Sequence, residues 1–162
     1  MTLRRAVRLI RQSGRVAEPA PPLPEPLPAR PAELAGSVQI RHVDCGSCNG
    51  CEIEIANAFG PVYDAERYGA RLVASPRHAD VVLATGVVTR NMLDPLRRTI
   101  DATPRPRLVI ALGDCARDGG VFTGAYGVVG AVADVVDVDL EIPGCPPEPQ
   151  AIVSALRRVT GR

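Results

Sequence analysis

Three of the chain's five cysteines fall within seven residues, in the stretch Asp44-Cys45-Gly46-Ser47-Cys48-Asn49-Gly50-Cys51-Glu52-Ile53-Glu54. The other two, Cys115 and Cys145, stand alone far downstream. Thiolates are ligands for soft sites: zinc, copper(I) or iron–sulfur. Structural zinc usually takes two C-x2-C-like pairs, and no second pair follows here. Thioredoxin-like redox chemistry would use one C-x-x-C at a helix start and would leave Cys115 and Cys145 without a role. Four thiolates arriving from separate strand ends can hold an iron–sulfur cluster. Five thiols that merely pack in the core are the plainest alternative. Gly46, Gly50, Gly113, Gly119, Gly120 and Gly144 flank the cysteines; glycine lets backbone turn its N–H groups toward sulfur at close range.

Other reactive residues carry less. Asp44, Glu52 and Glu54 bracket the cysteine loop and could relay protons, cap a helix or sit at the surface. His42 and His78 are isolated and read as structural or exposed. Thr89 and Arg90 could face the same edge as the cysteines, but their loop lacks a phosphate-binding glycine pattern. No Ser-His-Asp grouping stands out.

For these residues to act together, the fold must gather them. Val38–Val43 reads as a strand ahead of the cysteine loop, and Glu52–Ala58 as a helix with Asn49 as its N-cap. Tyr63–Gly69 reads as a short helical segment, and Leu72–Ala74 as a small strand. The apolar runs Val81–Gly86 and Leu108–Leu112 have the pattern of strands buried on both faces. Met92, Leu96 and Ile100 make a helix of Asn91–Ala102, stopped by Pro104. Residues 124–132 are Gly-rich and unassigned. Leu140–Ile142 is a last strand, and Glu148–Thr160 a helix with Pro149 in its first turn. Strands alternating with helices predict an α/β fold with a mostly parallel sheet covered on both faces. Ligands of such sheets bind beyond the carboxyl ends of the strands. All five cysteines follow a strand directly, so all five are expected at one sheet edge.

Composition narrows the function classes. The chain has 162 residues, enough for one domain with a real core. It has no Trp and five Phe and Tyr together, so the core must be aliphatic. A net charge of +1 argues against a nucleic-acid binder. Charge is unevenly placed: residues 1–15 hold five Arg and no acid, leaving 14 basic against 18 acidic residues elsewhere, a net of about −4. Arg4-Arg5 are not followed by an apolar stretch, which speaks against a secretory or twin-arginine signal. No apolar run has the length of a membrane span. A cytosolic setting follows, where disulfides are rare.

Two segments are expected. Residues 1–36 form a tail: an amphipathic helix over residues 2–11, with Leu3, Ala6, Val7 and Ile10 on one face and arginines beside it, then a Pro-rich extended arm over residues 17–34. The helix could lie on an anionic membrane, dock a partner or stay solvated, and the arm could follow a partner or hang free. Residues 37–162 form the folded body.

Four motifs then occur in order: Cys48-Asn49-Gly50-Cys51-Glu52-Ile53-Glu54, Thr89-Arg90-Asn91-Met92, Gly113-Asp114-Cys115-Ala116 and Pro143-Gly144-Cys145-Pro146-Pro147. Together they closely resemble the small subunit of membrane-bound, energy-converting nickel–iron hydrogenases such as formate hydrogenlyase. The same superfamily includes the cluster-carrying member of respiratory complex I, an NADH-quinone oxidoreductase. The match runs from about Val38 to Leu156. It implies a flavodoxin-like domain carrying one 4Fe–4S cluster on Cys48, Cys51, Cys115 and Cys145, with Cys45 left over. It also implies an electron-transfer subunit, inert alone, that links ferredoxin-like iron–sulfur subunits to a hydrogenase large subunit. Membrane subunits complete the complex, and this chain would sit peripherally on the cytoplasmic side of the membrane. Gly86-Val87-Val88-Thr89 stands where the family usually has Gly-Pro-Val-Thr. Gly50 stands where complex I members have an extra cysteine, which favours the hydrogenase branch over a quinone-reducing one. A non-catalytic zinc scaffold is the rival from another class.

Overall fold

Strands β3 (Val81–Thr85) and β5 (Leu108–Leu112) consist of buried residues along their whole length. Such strands can only be central ones with packed layers above and below. The computed structural model, which describes residues 3–13, 22, 23, 25, 27, 28 and 31–162, places them in the middle of a five-stranded sheet. The other strands are β1 (Val38–Asp44), β2 (Ala70–Leu72) and β7 (Leu140–Ile142), in the order β2-β1-β3-β5-β7. Every pairing in this sheet is parallel. Counted among themselves, the five strands run 2-1-3-4-5, the flavodoxin-like order.

Side chains alternate across the sheet and feed two cores. Ile40, Val81, Leu83, Ile110 and Leu112 pack with α2 (Gly50–Ala58) and α5 (Pro149–Thr160). Val43, Val82, Ala84, Val109 and Ala111 pack on the other face with α3 (Leu93–Ala102) and with Ala116 of the short helix α4 (Asp114–Asp118). Helix α5 shows why the packing is firm: Ile152, Val153, Leu156 and Val159 are all buried. Pro149 starts the helix, and Gly161 ends it in a left-handed conformation.

Register decides where the site lies. Asp44 pairs with Thr85, Thr85 with Leu112, and Leu112 with Ile142. Four strand ends therefore stop at one level, and the loops that follow them meet there.

Several elements differ from the sequence expectation. The small strand is Ala70–Leu72 rather than Leu72–Ala74; it is an edge strand of three residues, too short for alternation to set its limits. Helix α4 lies where the sequence suggested no helix, because five residues are too few to show a period. The unassigned Gly-rich segment supplies β6 (Val128–Gly130), which pairs antiparallel with β4 (Val88–Thr89) in a separate two-stranded ribbon. Asn49 does precede α2, but with φ 72 and no side-chain bond to the helix, so it does not cap as expected.

Near the amino terminus, α1 (Leu3–Ser13) is a helix with no buried residue. Much of the Pro-rich arm lies outside the described residues. Leu27 and Leu34, however, belong to the core beside α5. The Leu27 amide donates to Arg158 O, and Arg157 donates to Pro22 O at 2.7 Å. The arm thus lies on its own domain at these points. Among the described residues no helix is long and apolar enough to cross a membrane.

Candidate metal centre

The loop after β1 is shaped by its first residue. Asp44 Oδ1 accepts from the backbone N–H of Gly46 and of Ser47, both at 2.8 Å, and so turns the chain sharply at the strand end. Cys45 donates its amide to Thr85 O, and its carbonyl accepts from both the amide and the hydroxyl of Thr89. The loop is thereby tied across β3 to the segment beyond it. Gly86, with φ 73, lies directly against this turn, where any Cβ would strike the Ser47 nitrogen.

Cys48 and Cys51 follow, the second in the first turn of α2. Cys115 begins the helical turn after β5, and Cys145 lies in the loop after β7. Those two loops are joined directly. Asp114 N donates to Gly144 O, and Gly144 N donates back to Asp114 Oδ1, both at 2.9 Å. Cys48, Cys51, Cys115 and Cys145 together line a small depression, with Ser47, Gly50, Gly86, Asp114, Gly144 and Pro146 completing its wall. Cys48 and Cys145 are exposed, Cys115 is half-buried and Cys51 is buried; all are free thiols.

Two of these thiols are shifted by their surroundings. Burial first, then Glu52 and the other three thiols, push Cys51 up to about 12. Burial, then Cys145 and Cys48, also raise Cys115. Four mutually repelling thiolates need positive charge among them, and iron would supply it. The glycine at 113 fits the same purpose. With φ 91 it lies so near Cys51 that a Cβ would come within 2.7 Å of the sulfur. Among the described residues, no three His, Cys, Asp or Glu side chains converge tightly enough to hold a single metal ion.

Cys45 is placed apart. It is fully buried in the core on the α3 face. Burial, then Asp44 and Glu52, push it up to about 12, and no other thiol contributes.

Under the loop lies a polar group that sequence reasoning did not assemble. Glu52 accepts from Ser47 Oγ at 2.6 Å and from the Thr85 hydroxyl. His42 Nε2 stands 2.9 Å from Thr85 Oγ1 and 3.4 Å from Glu52. Burial lowers the His42 pKa below 6.5, against the opposing pull of Glu52. Only the pairing of β1 with β3 brings His42 and Thr85 together, so no local spacing announces them. Of the remaining candidates, Glu54 bonds Asn57 at the surface, and Thr89 serves the cysteine loop. Arg90 lies 5.1 Å over the Tyr126 ring, and His78 sits in a separate turn, Pro76–His78.

The chain has relatives among known proteins. It is 46% identical over 129 residues to formate hydrogenlyase subunit 7 of Escherichia coli, covering 80% of this chain and 51% of that one. It therefore spans about half the length of that relative. A probable membrane-bound hydrogenase subunit of Pyrococcus furiosus is 48% identical over 120 residues, covering 74% of this chain and 72% of its own length. Among solved structures, a chain of the archaeal membrane-bound sulfane sulfur reductase, a respiratory membrane complex, superposes with a TM-score of 0.68 at 32% identity. That match covers 78% of this chain and 70% of the other. The sequence profile of the NADH ubiquinone oxidoreductase 20 Kd subunit spans residues 48–159, from the first thiol of the depression to the end of α5; the chain belongs to that family.

Proposed function

We propose that the chain is the electron-transfer subunit of a membrane-bound hydrogenase. It would carry one 4Fe–4S cluster on Cys48, Cys51, Cys115 and Cys145. The observation that carries this reading is the meeting of these four thiols, from three loops, around one glycine-lined depression. When bound, the cluster supplies one-electron transfer. The protein's own part is to fix the thiols, exclude water at Cys51 and hold the loops in register. Asp114 and Gly144 lock two loops to each other, while Glu52, Ser47 and Thr85 hold the third to the sheet.

The partners in this reading are a large subunit with nickel and iron, ferredoxin-like subunits that deliver or remove electrons, and membrane subunits underneath. The assembly would lie on the cytoplasmic side. The names of the two curated relatives support the hydrogenase branch, as does Gly50 in place of a further cysteine. The test is anaerobic purification of the intact complex. We expect iron and acid-labile sulfide in this chain, a larger nickel-containing subunit with it, and dye reduction that depends on H2. A nickel-free complex that reduces quinone would move the chain to the complex I branch. Zinc in place of iron and sulfide would end the electron-transfer reading altogether.

A further inference from the structure

Helix α1 buries none of its residues, yet it is strongly amphipathic. Leu3, Val7 and Ile10 lie at i, i+4 and i+7 on one face and are 80%, 40% and 65% exposed. Arg4, Arg8 and Arg11 lie beside this stripe on the neighbouring face, while Arg5 and Leu9 lie on the far side. A helix of 11 residues without packing is marginal in water. Here it is disfavoured further, because two arginines and no acid occupy its first turn, against the positive end of the helix dipole. This segment therefore needs a surface that takes its aliphatic face and supplies negative charge.

We infer that α1 is an interfacial helix that lies on an anionic lipid surface. Its composition favours lipid over a protein groove. Low net hydrophobicity, a narrow aliphatic stripe and a polar side whose charges are all cationic are what interfacial helices show. A groove-bound helix would be expected to carry an aromatic anchor, and α1 has none. Arginine also keeps its head at the lipid phosphates while its stem lies along the apolar layer. Residues 16–162 are net acidic by 4 charges, 14 Arg against 18 Asp and Glu, and would be repelled by the same surface. The helix would thus set which side of the protein approaches the membrane. The Pro-rich arm, held on α5 through Leu27 and Pro22, fixes where the tether leaves the domain. The inference rests on α1 alone and not on the cluster.

The test is flotation of the full-length chain with phosphatidylcholine vesicles, with and without phosphatidylserine. The expected result is co-flotation with the anionic vesicles only, released by raising the salt. Replacing Arg8→Gln together with Arg11→Gln lowers the partition at least about tenfold, and Val7→Ser with Ile10→Ser also lowers it. Circular dichroism of the domain stays unchanged in both double variants, since α1 contributes nothing to its core. Equal flotation with neutral vesicles overturns the proposal. So does failure to float, and if the same variants then weaken assembly with the other subunits, a protein groove is the occupant instead. A chain that proves to lack iron but still floats with anionic vesicles would refute the electron-transfer reading and leave this one standing.

Discussion

Five cysteines of one type have two distinct environments here, and the difference is testable residue by residue. Cys45 is sealed in an apolar core with its thiol pushed up to about 12, so it should stay protonated and unreactive while the chain is folded. Cys45→Ala should keep the iron and sulfide and cost about 1 kcal/mol of stability. Cys48→Ala, which removes a thiol from the depression, should lose the cluster signal after anaerobic purification. Loss of the cluster from Cys45→Ala with retention in Cys48→Ala would reverse the assignment. His42 gives a second residue-scale prediction, through pH. Its pKa is lowered on folding, mainly by burial. The unfolded chain therefore binds the proton near pH 6.5 and the folded chain only below that, so the unfolded state holds more protons in between. Stability should fall as pH drops from about 6.5, and then level off. His42→Gln should flatten that part of the curve in chemical denaturation run at several pH values. An unchanged slope would mean that folding does not lower the His42 pKa.

At the scale of elements, the site is a consequence of strand register. The apolar runs of β3 and β5 identify themselves as central strands, and a parallel sheet then puts every following loop on one edge. Those parts of the fold were legible in the order and character of residues 81–86 and 108–112. The resemblance to a known family named the four thiols. What was not legible comes from contacts between elements distant in sequence. Thr85 reads as one more residue of a buried strand, yet its hydroxyl joins Glu52 of α2 to His42 of β1. Helix α4 and the β4–β6 ribbon are too short to impose a period. In sequence Gly86 only ends an apolar strand and Gly113 is one of six glycines beside the cysteines, yet each stands where neighbouring atoms leave no room for a Cβ. The loops are therefore expected to be intolerant at these points even though they are loops. Gly113→Ala must hold a side chain at φ 91 and within 2.7 Å of the Cys51 sulfur. It should lose most of its cluster while its far-ultraviolet circular dichroism stays near that of the wild type. Gly124→Ala is a control, since it has a similar φ of 77 but nothing near its added methyl; it should bear the backbone strain and keep the iron.

At the scale of the whole molecule, the boundary between tail and domain is where packing matters more than composition. The Pro-rich stretch reads as an extended arm, following a partner or hanging free, because proline keeps it out of helix and sheet, and composition carries no sign of where such a segment lands. Leu27 and Leu34 nevertheless enter the core beside α5, and Leu34 is only 3% exposed. Gly36 N donates to Thr160 O at 2.7 Å, tying the arm's end to the end of that helix. A deletion should therefore have two outcomes, depending on where it stops. Removing residues 1–21 takes away α1 and leaves both leucines in place, so the unfolding free energy of the domain should not change. Removing residues 1–34 uncovers the surface that Leu27 and Leu34 occupy. Each fully buried leucine contributes about 1.5–3 kcal/mol by its burial, so the longer deletion should cost several kcal/mol. That is a large part of the stability of an ordinary domain. The comparison is made by denaturant unfolding of the three chains under one set of conditions. Leu34→Ala in the full-length chain separates side-chain packing from backbone attachment, with an expected loss of about 2–5 kcal/mol. If the two deletions are equally stable and Leu34→Ala costs nothing, the arm rests on the domain without supporting it. The folded unit would then begin at β1.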